Sequence, residues 1–387
     1  MINTNINNIT GKKRVLIAPL DWGLGHATRC IPIINELIVQ GFEVILAGDG
    51  AVAVLLKKEF PSLTFLNLCG YKVGYSKSKI GFLWKMLSQI PSIIKAIINE
   101  RLWLKEKILS DKIDIVISDN RFGLYNKNVK TIFITHQLNI QTGNFISDKI
   151  AQIINYSYIN KYDECWVPDV VGENNLAGVL SHPKKLPTTT IKYIGSLSRF
   201  KKIDVEKIID VAVVLSGPEP QRTIFENIVL QQIKNSTLNI KLVRGLPLAE
   251  NNLVVENKNI SIENHLPKAE LSVLIQSAKV VISRSGYSTV MDMAALQQAA
   301  IYVPTPGQTE QAYLAKYLTE KNYCIATTQA EFNFEVEVKK LEGVVLNEYP
   351  TSNNGLLRSV ISYLTQPHPN PSPGQGCCVL NNYAIKL

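Results

Sequence analysis

Short aliphatic runs with almost no polar alternation recur along this chain of 387 residues, each closed by a turn and followed by a helical stretch. RVLIAP (14–19), FEVILA (42–47), TFLNL (64–68), IDIVIS (113–118) and KTIFIT (130–135) are of this kind. A strand that is apolar on both sides has to be covered on both faces, which is the condition of a parallel sheet between layers of helix. The stretch from His26 to Gln40, ended by Gly41, predicts one such helix. The βαβ alternation therefore predicts an α/β fold built on a doubly wound sheet.

The pattern then starts again. VAVVLSG (211–217) leads into a helix from about Gln221, and NIKLVR (239–244), KVVIS (279–283) and AAIYVP (299–304) follow. Two α/β domains of similar design are expected, residues 1–198 and 199–365, with the boundary near the basic stretch SLSRFKKID (196–204). Residues 366–387 are Pro-rich and lack a periodic apolar face, so they are expected to form a disordered tail.

Composition narrows the partners. With 46% hydrophobic and 19% charged residues the chain can fill two cores. A net charge of +9 suits an acidic partner, whether nucleic acid, a phosphate-bearing substrate or an anionic membrane. No nucleic-acid motif is present and the lysines are dispersed, which argues against nucleic acid. The six cysteines form no CxxC pair and no Cys/His cluster of zinc-site spacing, so free thiols in a reducing compartment and no metal are expected. The N-terminal MINTNINNIT lacks the regions of a signal peptide, and no apolar run reaches the roughly 18 residues of a membrane span. These features predict a cytoplasmic protein.

Residues 72–107 qualify that expectation. Lys72, Lys77, Lys79, Lys85, Lys95, Arg101, Lys105 and Lys107 lie there among Phe82, Trp84, Ile93, Ile94 and Trp103. Such a segment can rest on an anionic bilayer, peripheral to the inner face of the cell membrane, or can form an ordinary helix pair with a solvated basic face.

Four turns carry candidate chemistry. Asp21-Trp22-Gly23-Leu24-Gly25-His26-Ala27-Thr28-Arg29 follows the first strand and opens the first helix, the position where open α/β sheets bind ligands. Gly23 and Gly25 allow a close backbone approach, and His26 could take a proton from a hydroxyl or simply cap the turn. Ser216-Gly217-Pro218, with Arg222 one turn on, could cradle phosphate on backbone amides. In Ser283-Arg284-Ser285-Gly286-Tyr287-Ser288-Thr289-Val290-Met291-Asp292, amides and hydroxyls gather at a helix start. Asp292 could there hold a ribose diol or lie solvated on a polar helix face. Pro304-Thr305-Pro306-Gly307-Gln308-Thr309-Glu310-Gln311 offers amides and a carboxylate suited to sugar hydroxyls, or to capping its own helix.

In its run ISRSGYSTVMDMAALQQAAIYVPTPGQTEQ (282–311) the chain resembles the C-terminal domain of the family 28 glycosyltransferases, and GLGHATR (23–29) resembles that family's N-terminal glycine-rich loop. The resemblance implies the GT-B architecture, two Rossmann-like domains facing a cleft. It implies a hexosyltransferase that moves a sugar, N-acetylglucosamine or another hexose, from a UDP-sugar to a lipid-linked or glycan acceptor. It further implies inversion and no cofactor or metal. Asp292 stands where the family has a ribose-binding glutamate. Gln311 matches the first of two donor-sugar glutamines, the second being Ala312 here. Ser216-Gly217 matches part of a diphosphate loop, and Arg284, Ser285, Gly286, Ser288, Thr289 and Gln308 fall within the donor-side motifs. His26 matches the histidine near the reaction centre, with Asp21 and Asp119 as further catalytic candidates. Thr135-His136-Gln137-Leu138-Asn139 resembles an acceptor-side loop, which places His136 and Asn139 with Gly23, Gly25 and Arg29 on the acceptor side. An epimerase or hydrolase acting on a UDP-sugar, and a non-catalytic nucleotide-sugar-binding subunit, remain alternatives on the same fold.

Overall fold

The computed structural model describes residues 11–71, 79–247, 249–251, 253–350 and 354–365. The Pro-rich tail and the start of the basic segment, 72–78, lie outside the described residues.

The first half runs β1 (Arg14–Pro19), α1 (Leu24–Val39), β2 (Glu43–Gly48), α2 (Gly50–Glu59), β3 (Thr64–Asn67), α3 (Lys79–Ser110), β4 (Ile115–Asp119), β5 (Lys130–Ile134), α4 (Phe145–Ile159), β6 (Glu164–Val167) and β7 (Thr190–Tyr193). Its seven strands are parallel in the order β3-β2-β1-β4-β5-β6-β7. Successive residues of a strand point to opposite faces. Val15 and Ile17 accordingly pack on the α1 side with Val44, Leu46, Ile115 and Ile117, while Leu16 and Ala18 pack on the other with Ile45, Ala47 and Val116. Covering both faces is what the unalternating apolar runs require.

The second half runs β8 (Ile209–Val214), α5 (Gln221–Ile233), β9 (Ile240–Val243), β10 (Ile260–Glu263), α6 (Lys268–Ser277), β11 (Ala278–Ser283), α7 (Tyr287–Leu296), β12 (Ala300–Tyr302), α8 (Thr309–Glu320), β13 (Ile325–Ala326), α9 (Phe334–Glu342) and α10 (Asn354–Thr365). Its six parallel strands are ordered β10-β9-β8-β11-β12-β13. Both sheets thus repeat the doubly wound order, with the direction of winding reversing between β1 and β4 and between β8 and β11.

The last helix departs from the expected division. Although α10 follows the second sheet in sequence, it returns to pack on α1. Lys13 Nζ donates to the Leu364 carbonyl at 2.8 Å, Gln40 Nε2 to that of Arg358 at 3.0 Å, and Arg358 pairs with Glu36 at 3.3 Å. Leu357, Ile361 and Leu364, at helical spacing, are buried against the first half, in one apolar cluster that also holds Ile33 of α1 and Tyr287, Met291 and Leu314 of the second half. The unit expected at 199–365 therefore carries its final helix on the other sheet.

Candidate active site

The two switch points face each other. α1 leaves the first at Gly23, whose φ of 94° only glycine adopts freely, and no side chain caps its first turn. α7 leaves the second at Gly286 and is likewise uncapped by any side chain. The two helix starts touch where Ser288 Oγ donates to the Gly25 carbonyl at 3.0 Å. Uncapped amides and the positive end of each helix dipole therefore converge on one cleft.

On the first-half wall Asp119 ends β4 and is fully buried. Arg29 Nε donates to its Oδ2 at 2.7 Å, Arg29 Nη2 to its Oδ1, and Cys30 Sγ lies 3.6 Å from Oδ2. His26 Nδ1 is 3.1 Å from Asp119 Oδ1. Burial opposes ionisation of Asp119, but Arg29 and His26 overcome it and hold the carboxyl well below its ordinary range. Burial and then Arg29 lower the His26 pKa below 6.5, and Asp119 offsets them only in part. The ring is therefore neutral at pH 7, and its Nδ1 meets both the Asp119 carboxylate and, at 2.9 Å, Arg29 Nη2.

Asp21 plays another part. Its Oδ1 accepts the Tyr71 amide at 3.1 Å, and a side chain at Gly70 would collide with its carboxylate, so Asp21 fixes the segment after β3. His136, buried after β5, stacks on Tyr287 with centroids 4.3 Å apart and planes 10° apart. Its Nδ1 lies 3.2 Å from Arg29 Nη1 and its Nε2 2.7 Å from Glu310 Oε1. Asn139 is half-buried on the same loop and its amide donates to the Leu180 carbonyl at 2.9 Å.

On the opposite wall Ser216 and Gly217 form an exposed turn after β8, with Gly217 at φ 106°. A Cβ at residue 217 would lie 3.8 Å from Thr305 Oγ1, a buried hydroxyl without a hydrogen-bond partner among the described residues. Thr305 was not singled out from the sequence, and an unpartnered buried hydroxyl beside an open glycine turn marks it. Asp292 Oδ1 accepts from Ser198 Oγ at 2.6 Å. Burial raises its pKa to about 6 against the opposing effects of Ser198 and Arg199. Ser285 Oγ donates to the Gln311 carbonyl at 2.8 Å. The Gln311 side chain ties the loop together, accepting the Thr305 amide at 2.8 Å and donating to Gln308 Oε1 at 2.5 Å. Gly286 and Thr289 lie half-buried at the start of α7.

Two arginines expected on the donor side turn away from the cleft, and the reason is that each saturates groups inside the second half. Arg284 is buried over Phe225 and donates to the carbonyls of Val303, Pro304 and Gln221 and to Gln329 Oε1, bracing the loop after β12 against α5. Arg222 is buried between Glu219 and Glu226, at 2.5 and 3.0 Å. Glu310, whose carboxylate the sequence offers to sugar hydroxyls, instead meets His136 Nε2 at 2.7 Å. It occupies the first turn of α8, where an acidic residue needs no further explanation than the helix dipole.

Two Rossmann-like sheets facing across a cleft have the GT-B architecture, and the similarities that follow make the chain a glycosyltransferase of that class. Residues 214–356 match the Glycosyltransferase family 28 C-terminal domain. Over 329 residues the chain is 23% identical to the UDP-N-acetylglucosamine–N-acetylmuramyl-(pentapeptide) pyrophosphoryl-undecaprenol N-acetylglucosamine transferase of Clostridium tetani, covering 82% of this chain and 86% of that one. It is also 23% identical to an uncharacterized glycosyltransferase of Methanosarcina mazei, covering 80% and 84%. Among solved structures, the glycotransferase of kitacinnamycin has the same fold at a TM-score of 0.60 and 13% identity, covering 91% of this chain and 94% of that one. A spinosyn rhamnosyltransferase has it at 0.60 and 12%, covering 91% and 96%.

Proposed function

We propose that this glycosyltransferase moves a hexose from a UDP-sugar to a hydroxyl of a lipid-linked or glycan acceptor, with inversion. The observation that carries this is the meeting of two uncapped helix starts, α1 and α7, across the cleft. Two positive helix ends repel each other, and an anion between them relieves that. A diphosphate supplies it, resting on the amides of 287–289, the turn at 216–218 and the Thr305 hydroxyl. Asp292 takes the ribose diol on its second oxygen, and Gln308 and Gln311 border the sugar.

His26 Nε2 removes the proton of the acceptor hydroxyl. The oxygen attacks the anomeric carbon opposite the diphosphate, the carbon–phosphate-oxygen bond breaks, and UDP leaves with the bonding electrons. Charge on the leaving group is met by the helix starts, so the reaction needs no divalent ion in this reading. An oxyanion is met here by fixed dipoles, and turnover that is abolished by EDTA and restored by a divalent ion would refute that part.

The acceptor side bears apolar helix faces. Ile90, Ile94, Ile98 and Leu102 form an exposed stripe on α3 beside Lys95, Arg101 and Lys105, whereas Trp103 turns inward to the core. Phe145, Ile146, Ile150, Ile153 and Ile154 form another on α4 beside Lys149. Among the described residues no helix is long and apolar enough to cross a membrane. These faces suit the surface of an anionic bilayer carrying a lipid-linked acceptor.

A thermal-shift screen of nucleotide sugars, followed by transfer assays on lipid extracts, tests the reading. Stabilisation by UDP-sugars and labelled product are expected. Release of free sugar without any acceptor would instead indicate a hydrolase. Co-sedimentation with anionic vesicles that falls as salt rises is expected, and its absence would remove the membrane from the scheme.

A further inference from the structure

Between β7 and β8 the chain passes from one half to the other. The Ile194 and Gly195 amides still donate to the carbonyls of Val167 and Asp169 in the first half, at 2.9 and 3.0 Å. From Lys201 onward the chain is fixed to the second half. The Lys201 carbonyl accepts from Gln276 Nε2 at 3.3 Å, and the Ile203 amide donates to Gln276 Oε1 at 2.7 Å. The crossing itself is therefore 196–200. Leu197 and Phe200 bury their side chains in the shared core, and the Leu197 amide meets Met291 Sγ at 3.2 Å.

Ser198 sits in the middle of that crossing, and the reaction above gives it no part. Its Oγ accepts the Phe200 amide at 3.1 Å and donates its own hydrogen to Asp292 Oδ1 at 2.6 Å. Among the described residues no other group donates to that carboxylate. The terminal torsion of an aspartate is soft and roughly twofold. The hydrogen bond from Ser198 therefore decides which oxygen is used inside the protein and which is left for a ligand. The other charged or titratable groups facing Asp292 are Arg199, next on the crossing, and the Tyr302 hydroxyl of β12. Arg199 lies over the Phe200 ring and also faces His265 and Lys58.

We infer that Ser198 is a positioning residue for ribose recognition. Its hydroxyl turns the Asp292 carboxylate so that Oδ2 is presented to the ribose diol. Because it is carried on the crossing between the halves, it ties the grip on the nucleotide to the way they are joined. A ribose lacking one hydroxyl gains less from an oriented carboxylate, so Ser198 also sets the preference for a ribonucleotide over a deoxyribonucleotide. The inference rests on the reading of Asp292 as the ribose residue.

The full chain is titrated calorimetrically with UDP and with 2′-deoxy-UDP, at pH values on either side of the Asp292 midpoint of about 6. In the unmodified protein UDP should bind more tightly than 2′-deoxy-UDP, and its affinity should rise with pH through that midpoint. Ser198→Ala should weaken UDP by about five- to tenfold at neutral pH and weaken 2′-deoxy-UDP by less. It should also move the rise to higher pH, because a hydrogen bond to the charged form is lost. Ser198→Thr keeps the hydroxyl and should preserve both the preference and the midpoint. Ser198→Cys, a far weaker donor, serves should the alanine variant not fold. With Asp292→Ala already present, Ser198→Ala should change neither affinity further. A preference and a midpoint that remain unchanged in Ser198→Ala, whether or not thermal stability falls, overturn the inference and leave Asp292 as the ribose residue. UDP affinity undiminished in Asp292→Ala overturns both. All shifts as expected in a protein that transfers no sugar would leave Ser198 its role and defeat only the reading as a transferase.

Discussion

Burial and the neighbouring Arg29 push the His26 ring toward its neutral form, and its Nδ1 lies against both Arg29 and the Asp119 carboxylate. A base of this kind works only when unprotonated, so the rate should fall as pH drops through a ring pKa below 6.5 and should not change on that account near pH 7. His26→Ala should lower turnover by about 10²–10⁴-fold, leave UDP-sugar affinity within about twofold, and flatten the acid limb of the pH–rate profile. Full turnover in that variant would remove the assignment. Asp292 gives a second pH dependence. Its pKa of about 6 means that the carboxyl is largely protonated below that value and charged above it. A ribose diol donates to the charged form, so UDP affinity should rise as pH is raised through about 6 and binding there should release protons. Calorimetry in buffers of different ionisation enthalpy reads that release, and Asp292→Asn should abolish it. The sequence points to His26 and Asp119, because each sits at a helix start or strand end next to glycine or serine, and to Asp292, which follows a serine-glycine turn within the next helix. It places Glu310 in a candidate loop but does not reveal its contacts, since its partners His136 and Gln137 lie more than a hundred residues away in the chain.

At the level of elements, α10 ties the two halves together. Ile361 is fully buried in the shared core, and shortening it leaves a cavity beside α1. Ile361→Ala should cost about 2–5 kcal/mol of stability, with donor affinity retained in the fraction that stays folded. Chemical denaturation with and without UDP measures both, and a loss below about 0.5 kcal/mol would mean that α10 is dispensable to the core. The long strands are legible because they are apolar on both faces. β6, reading ECWV, is short and opens on a charged residue, β10, reading ISIE, interleaves polar residues, and β13 has only two residues, so local pattern does not separate them from loops. Glu164 is buried in β6 because Lys130, Lys192 and the Trp166 indole all meet its carboxylate, a set that no single stretch of sequence contains. The return of α10 is hidden for the same reason, since its amphipathic spacing says that it needs a partner and not which one.

For the whole molecule, the decisive contact is where the two sheets close. Gly25 lies in the first turn of α1, without a positive φ, so alanine there is favoured by helix propensity and should not harm the first half by itself. A Cβ at that position would, however, stand 2.8 Å from Ser288 Oγ and 3.4 Å from its Cβ. The hydroxyl must swing away and release the Gly25 carbonyl, or α7 must retreat, and either change loosens closure where the proposed diphosphate site lies. Gly25→Ala should therefore lower kcat/KM by about tenfold with thermal stability nearly unchanged, since the contact is worth about 1 kcal/mol between elements that are each folded without it. Ser288→Ala removes the same contact from the other side. If closure is what Gly25→Ala disturbs, the double variant should be no slower than the poorer single, a coupling of about 1 kcal/mol in the cycle. Strict additivity would place the two residues in separate roles, with Ser288 acting on the donor alone and Gly25 on the acceptor alone. Coupling would tie acceptor-side and donor-side walls into one unit, which is what a transfer between substrates held by different domains requires.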